Sequence, residues 1–260
     1  MPLFASAQPQ IFTFEQGVDT YAGFEDTTIF SESDNSGGGT PAIFSGTINN
    51  LTFEGDTQDR RALIRVDLTS IPTDWFASTV SLRLSVESSG ANFGDIDYSL
   101  HRVTRAWGEG TVVGASEGGF GSPADDGDAT WAASEHNVAI WTLPGGDFVA
   151  EASATAIAGT VGSDIVWTGP GLIEDVQDWI DNPASNHGWI VIGALEGTRQ
   201  RVKRFYSSEA ADFRPVLTVR ASRTPTALPT QSHPVAAIIL ACAFVAIGAL
   251  ALRRSRTARP

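Results

Sequence analysis

Apolar and polar residues alternate with a period of two along much of the chain, the signature of strands with one face buried. In "TVSLRLSVE", Val80, Leu82, Leu84 and Val86 share one face, and Ser81, Arg83, Ser85 and Glu87 share the other. "ALIRVDL" sets Ala62, Ile64, Val66 and Leu68 against Leu63, Arg65 and Asp67, and "DIDYSLHRV" sets Ile96, Tyr98 and Leu100 against Asp97, Ser99 and His101. "GWIVIGAL" and "PVLTVRA" read the same way, and Ser89-Gly90, Gly145-Gly146 and Gly37-Gly38-Gly39 supply turns between the strands. The pattern predicts an all-β, antiparallel β-sandwich. One stretch departs from it. In "GLIEDVQDWIDNP", Leu172, Val176, Trp179 and Ile180 recur at helical spacing and Pro183 ends the run, so a single short helix is predicted near 172–182, its aromatic plugging the core.

The last part of the chain has a different solvent. Val235 to Leu252 carries no charge and, at 1.5 Å per residue, reaches roughly 27 Å, the thickness of a bilayer's hydrocarbon core. Pro225, Pro229 and Pro234 precede it, and Arg253, Arg254, Arg256 and Arg259 follow. These are the flanks of a stop-transfer helix with its basic side in the cytoplasm. The expected organisation is a remnant of a signal peptide over 1–7, with the Ala5-Ser6-Ala7 cleavage form, then an outer β-sandwich domain over 8–222. A Pro-rich linker over 223–234, a transmembrane helix over 235–252 and a basic cytoplasmic tail over 253–260 follow. The chain is thus expected to be a single-pass membrane protein with its N-terminal domain at the cell surface.

Charge and cysteine use narrow the partners. Four of the 17 basic residues lie in the tail and all 30 acidic residues lie ahead of Val235, so the outer part is strongly acidic and is expected to repel nucleic acid and anionic lipid headgroups. The single cysteine, Cys242, falls in the apolar span, so the outer domain has no intrachain disulfide and depends on its core.

Candidate chemistry starts with the aromatics, because sugar rings present apolar C–H faces that stack on exposed indoles. Trp107, Trp131 and Trp141 lie in the Gly-rich stretch 107–147, where loops could present them to a carbohydrate; Trp75 and Trp189 sit beside strands and read as structural. "TRQRVKRF" gathers Arg199, Arg201 and Lys203 on one face of an extended segment, with Arg204 opposite, a stripe that could clamp uronate carboxylates. "PADDGDATW" places Asp125, Asp126 and Asp128 around Gly127, hard oxygen ligands suited to a structural calcium, and Glu25-Asp26 offers a weaker version of the same chemistry. Carboxylate pairs for hydrolysis, such as Glu109 with Asp128, can be drawn, but nothing fixes their separation. His101 shares a strand face with Asp97 and Ser99, and neighbours on one strand do not make the hydrogen-bonded order of a triad. His136 and His187 are isolated, so no catalytic centre is expected.

Read in order, "FEQGVDTYAGFEDTTIFSES", "RRALIRVDLTSIP", "VSLRLSVES", "LHRVTRAWGEGT", "GDATW", "WTLPGGDF", "VQDWIDNPASNHGWIVI" and "FYSSEAADFRPVLTV" resemble the DNRLRE-type domain of bacterial and archaeal surface proteins, related to the jelly-roll carbohydrate-binding modules of family 96. The resemblance spans about residues 12–221, although the motif that names the family is absent. It implies a jelly-roll β-sandwich on a secreted or surface protein, with polysaccharide binding in some members and alginate among their ligands. The tail from "TPTALPTQSHP" onward resembles the C-terminal sorting signals of the PEP-CTERM kind. Together these readings give a non-catalytic surface module that binds a cell-wall or extracellular polysaccharide. The alternative is a structural or adhesive surface protein with no sugar ligand.

Overall fold

The computed structural model describes residues 8–48, 58–89, 94–114 and 119–223. The expected signal remnant, the linker beyond Arg223, the apolar span 235–252 and the basic tail lie outside the described residues. Among the described residues, no helix is long and apolar enough to cross a membrane.

The fold is mostly β. In chain order the strands are β1 (Gln10–Phe14), β2 (Phe24–Phe30), β3 (Asn35–Ser36), β4 (Ala42–Thr47), β5 (Asp59–Val66), β6 (Trp75–Ser89) and β7 (Ile96–Arg102). There follow β8 (Ser122–Pro123), β9 (Ala133–Glu135), β10 (Ala139–Ile140), β11 (Ala154–Ala158), β12 (Asp164–Thr168), β13 (Trp189–Gly193), β14 (Lys203–Tyr206) and β15 (Val216–Arg223). Helix α1 (Pro170–Asp181) lies between β12 and β13. All strand pairs are antiparallel, and eleven of the described strands join into one sheet that curls on itself, as a β-sandwich requires. One run is β2-β5-β13-β7-β11; the other is built on β6, which pairs with β15 and β12. Strands β4 and β14 connect the two runs through β5 and β6.

The period of two sets the register. Val80, Leu82, Leu84 and Val86 of β6 meet Ala62, Ile64 and Val66 of β5, Ile96, Tyr98 and Leu100 of β7, and Trp167, Trp189 and Leu217 in one continuous core. Burying the valines, leucines and isoleucines of this set fully is worth roughly 1.5–3 kcal/mol each. Helix α1 covers this core with Leu172, Val176, Trp179 and Ile180, all buried. Pro183 follows its end, as the sequence predicts, and Pro170 stands at its start. Its Trp179 ring meets Trp189 edge-on at 4.5 Å between centroids. Asp175, also buried, accepts the Trp189 indole N–H at 2.8 Å, which ties the helix to β13.

The opposite face of β5 and β13 is not left to water. Leu63 and Ile190 point away from the main core and form a second cluster with Ile29, Val103, Trp107, Ala129 and Trp141. The long segment that follows β7 folds back over that face.

Candidate functional site

That returning segment carries the three tryptophans that would present a sugar platform, and β5 uses them. Arg61, Leu63 and Arg65 alternate on the outer face of β5. Trp107 is only 2 % exposed, lies against Leu63 in the second cluster, and covers the Arg65 guanidinium at 4.9 Å. Its indole N–H donates to the His187 carbonyl at 2.8 Å. Trp141 is 3 % exposed and donates to the Thr130 carbonyl at 2.9 Å. Neither ring is open to a ligand. Each indole N–H has a backbone acceptor, which lets these large side chains fill the gap between loop and sheet without an unsatisfied donor. Trp131 is half-buried and lies 4.8 Å from the Arg61 guanidinium, which also donates to the Gly145 carbonyl at 2.8 Å. Gly145 and Gly146 both adopt positive φ, as their turn signal anticipates; a Cβ on Gly145 would lie 2.6 Å from Arg61 Nη1 and 3.0 Å from the Trp131 ring.

Beside this stack is an open groove of about 660 Å³. Arg61, Thr104, Arg105, Leu143, Asp147 and Phe148 contribute to its lining. Asp147 is the fixed point of the groove: it accepts from the Thr142 and Leu143 backbone N–H groups, from the Thr142 hydroxyl and from Arg105 Nε. Burial works against its charge, but the Thr142 N–H, Arg105 and the other donors together hold its carboxyl below the ordinary range. Leu143 is 70 % exposed at the rim.

The cationic stripe does not form. Arg199 and Arg201 precede β14 rather than lie in it, and Gln200 between them adopts φ 64°, which breaks the extended backbone on which a common face depends. The strand begins at Lys203, whose side chain turns inward with 0 % exposure and donates from Nζ to the Gly159 carbonyl at 2.6 Å and to Gly94 at 3.2 Å. Arg204, opposite as predicted, pairs with Glu87.

Two aspartates of the 125–128 turn have protein partners of their own. Asp128 is buried, accepts the Asp125 backbone N–H at 3.0 Å, and sits so close to Gly110 that a Cβ there would be 2.0 Å from its Oδ1. Burial raises its pKa. Asp126 turns to Asn137 Nδ2 at 2.8 Å. Among the described residues, no group of three His, Cys, Asp or Glu side chains stands in metal-binding geometry. His101 approaches Ser99 Oγ through Nε2 at 2.9 Å and the Val149 carbonyl through Nδ1 at 3.0 Å, so Asp97 does not orient it.

One grouping escapes sequence reasoning. Asp26 on β2, an edge strand that pairs only with β5 among the described residues, is 0 % exposed. Its Oδ2 accepts the Ser208 N–H at 2.8 Å, and its own N–H donates to Glu109 Oε1 at 2.8 Å. Glu209 Oε1 accepts from the Ser208 hydroxyl. Burial raises the pKa of Asp26, and repulsion from Glu209 and Glu109 adds to it. Glu109 is pushed up to about 8, by burial first and by Glu209 and Glu25 among its neighbours. The sequence names Asp26, with Glu25, as a weaker calcium candidate and Glu109 as one of a carboxylate pair, but nothing in it joins either to Glu209, because "FEDTT", "WGEGT" and "YSSEA" lie far apart along the chain.

No family model matches the chain, and no curated protein matches it.

Proposed function

We propose that this protein is a non-catalytic cell-surface module that binds a neutral polysaccharide, its curled sheet being the jelly-roll sandwich that its resemblance to DNRLRE-type domains implies. The observation that carries this reading is the open groove beside Trp131. It combines apolar surface from Phe148 and Leu143 with the Thr104 hydroxyl and an Arg105–Asp147 pair held at 2.8 Å. Sugar rings ask for this mixture of apolar contact and a few fixed polar groups. The groove, rather than the indoles of Trp107 and Trp141, is the ligand surface. With 30 acidic residues ahead of the apolar segment, an extended anionic glycan meets repulsion, so a neutral β-glucan is favoured over alginate. The reading also takes 235–252 as the membrane anchor, with the β domain outside and the arginines within.

Affinity electrophoresis of the full chain in non-ionic detergent, in gels containing either polymer, tests the proposal. Retardation by β-glucan that is lost in Leu143→Asp supports it. The burial of Trp107 and Trp141 favours the second reading, a structural or adhesive surface protein, and absence of retardation by any neutral polymer would establish that reading instead.

A further inference from the structure

Asp26 is the most unusual charge in the described fold. It is fully buried, and while Oδ2 has the Ser208 N–H, Oδ1 has no hydrogen-bond partner among the described residues. A buried carboxylate oxygen left unpaired is costly, and native folds rarely keep one without something to meet it. What faces Asp26 is more negative charge, from Glu209 and Glu109. The cations nearby are committed elsewhere: Arg65 pairs with Glu25 and donates to the Trp107 carbonyl, and Arg214 donates to the carbonyls of Ala210 and Gln16.

We infer that Asp26, Glu109 and Glu209 form a structural calcium site that clamps the open edge of β2 to the loop after Trp107 and to the segment after β14. The donor set consists of hard carboxylate oxygens, which calcium accepts in flexible geometry with six to eight ligands. Asp26 and Glu109 are fixed relative to each other by the Asp26 N–H bond to Glu109 Oε1. Glu209 is exposed, and a rotation of its side chain supplies the third carboxylate that is not yet in place. The clamp has a structural purpose: it joins three segments that share no strand pairing at this edge. It is independent of the groove and of polysaccharide binding.

The test uses the full chain in non-ionic detergent, stripped with chelator and titrated with calcium chloride, read by equilibrium dialysis and by thermal melting. One calcium per chain and a rise of several degrees in Tm are expected for the wild type. Asp26→Asn keeps an acceptor for the Ser208 N–H, so it folds; in chelator it melts no lower than the wild type, and its calcium binding falls at least tenfold. Asp128→Asn binds calcium like the wild type. Absence of calcium binding by the wild type at millimolar concentration, undiminished binding by Asp26→Asn, or loss of binding in Asp128→Asn would each overturn the inference.

Discussion

Replacing Glu32 by leucine should destabilise the protein more than most surface changes do, although Glu32 lies in a turn. Its carboxylate pairs with both terminal nitrogens of Arg60, whose side chain has no solvent exposure, while that of Glu32 has 10 %. Arg60 lies against the Phe30 and Phe120 rings at 5.0 and 5.8 Å and also donates to the Gly119 carbonyl. Two unit charges about 4 Å apart attract by roughly 4 kcal/mol at an effective dielectric of 20, most of it offset by desolvation. Removing one partner leaves the other charge buried without compensation, which costs about 3–5 kcal/mol. Arg60→Met should cost a similar amount. The double variant Glu32→Leu/Arg60→Met restores an apolar contact with Phe30 and Phe120 and should return to within about 1 kcal/mol of the wild type. Urea unfolding of the full chain in detergent, followed by tryptophan fluorescence, reads all four corners of the cycle. If Glu32→Leu alone shifts stability by less than about 1 kcal/mol, or the two changes simply add, the burial argument fails.

Other substitutions test other parts of the fold. Gly110→Ala places a Cβ at φ 76° and 2.0 Å from Asp128 Oδ1, and should lower stability by about 2 kcal/mol or more in urea melts. Asp175→Ala leaves the buried Trp189 N–H without its acceptor and should cost about 1–3 kcal/mol, visible as loosening of helix α1 in hydrogen exchange. Asp147 has a lower pKa folded than its ordinary value near 3.8, so its stabilising contribution is present at neutral pH and fades as the pH falls through and below that value. Asp147→Asn should therefore lose stability at pH 7 and show a flatter acid limb in a melt series.

Strands β5, β6, β7, β13 and β15 were legible because each carries its own local alternation, whereas β2 and β4 are buried along nearly their whole length and show none. Val80, Leu82, Leu84 and Val86 all reach the core that their alternation assigns them. Helix α1 was legible for the same reason, with Pro183 marking its end. The second cluster was not, because its evidence was a single apolar residue on a polar face. Leu63 sits between Arg61 and Arg65, and only the fold shows that the loop after β7 covers it with Trp107 and Trp141. Burial of those tryptophans is therefore a property of tertiary cover. The Asp26, Glu109 and Glu209 grouping is hidden more deeply still, since Asp26 and Ser208 are separated by 182 positions.

Lys203 shows how one backbone dihedral overturns a side-chain pattern, and it can be tested directly. Alternation places Arg199, Arg201 and Lys203 together only if the whole run is extended, and Gln200 at φ 64° rotates the chain before the strand begins. Gly46, at φ 110°, then accepts the backbone of Arg201 so closely that a Cβ would lie 2.0 Å from its carbonyl oxygen. With β14 locked between β4 and β6, Lys203 has only the interior to enter, where it meets the Gly94 and Gly159 carbonyls. Lys203→Met keeps the length of the stem and removes the donor that the part-buried hydrogen bonds to the Gly94 and Gly159 carbonyls depend on. The expected cost is about 1 kcal/mol, the net worth of a typical hydrogen bond, because water can reach the freed carbonyls and the ammonium's own desolvation is recovered. Mobility in polysaccharide gels should not change, because no ligand reaches this side chain. A variant of unchanged stability that migrates faster through a polysaccharide gel than the wild type would instead return Lys203 to the binding surface.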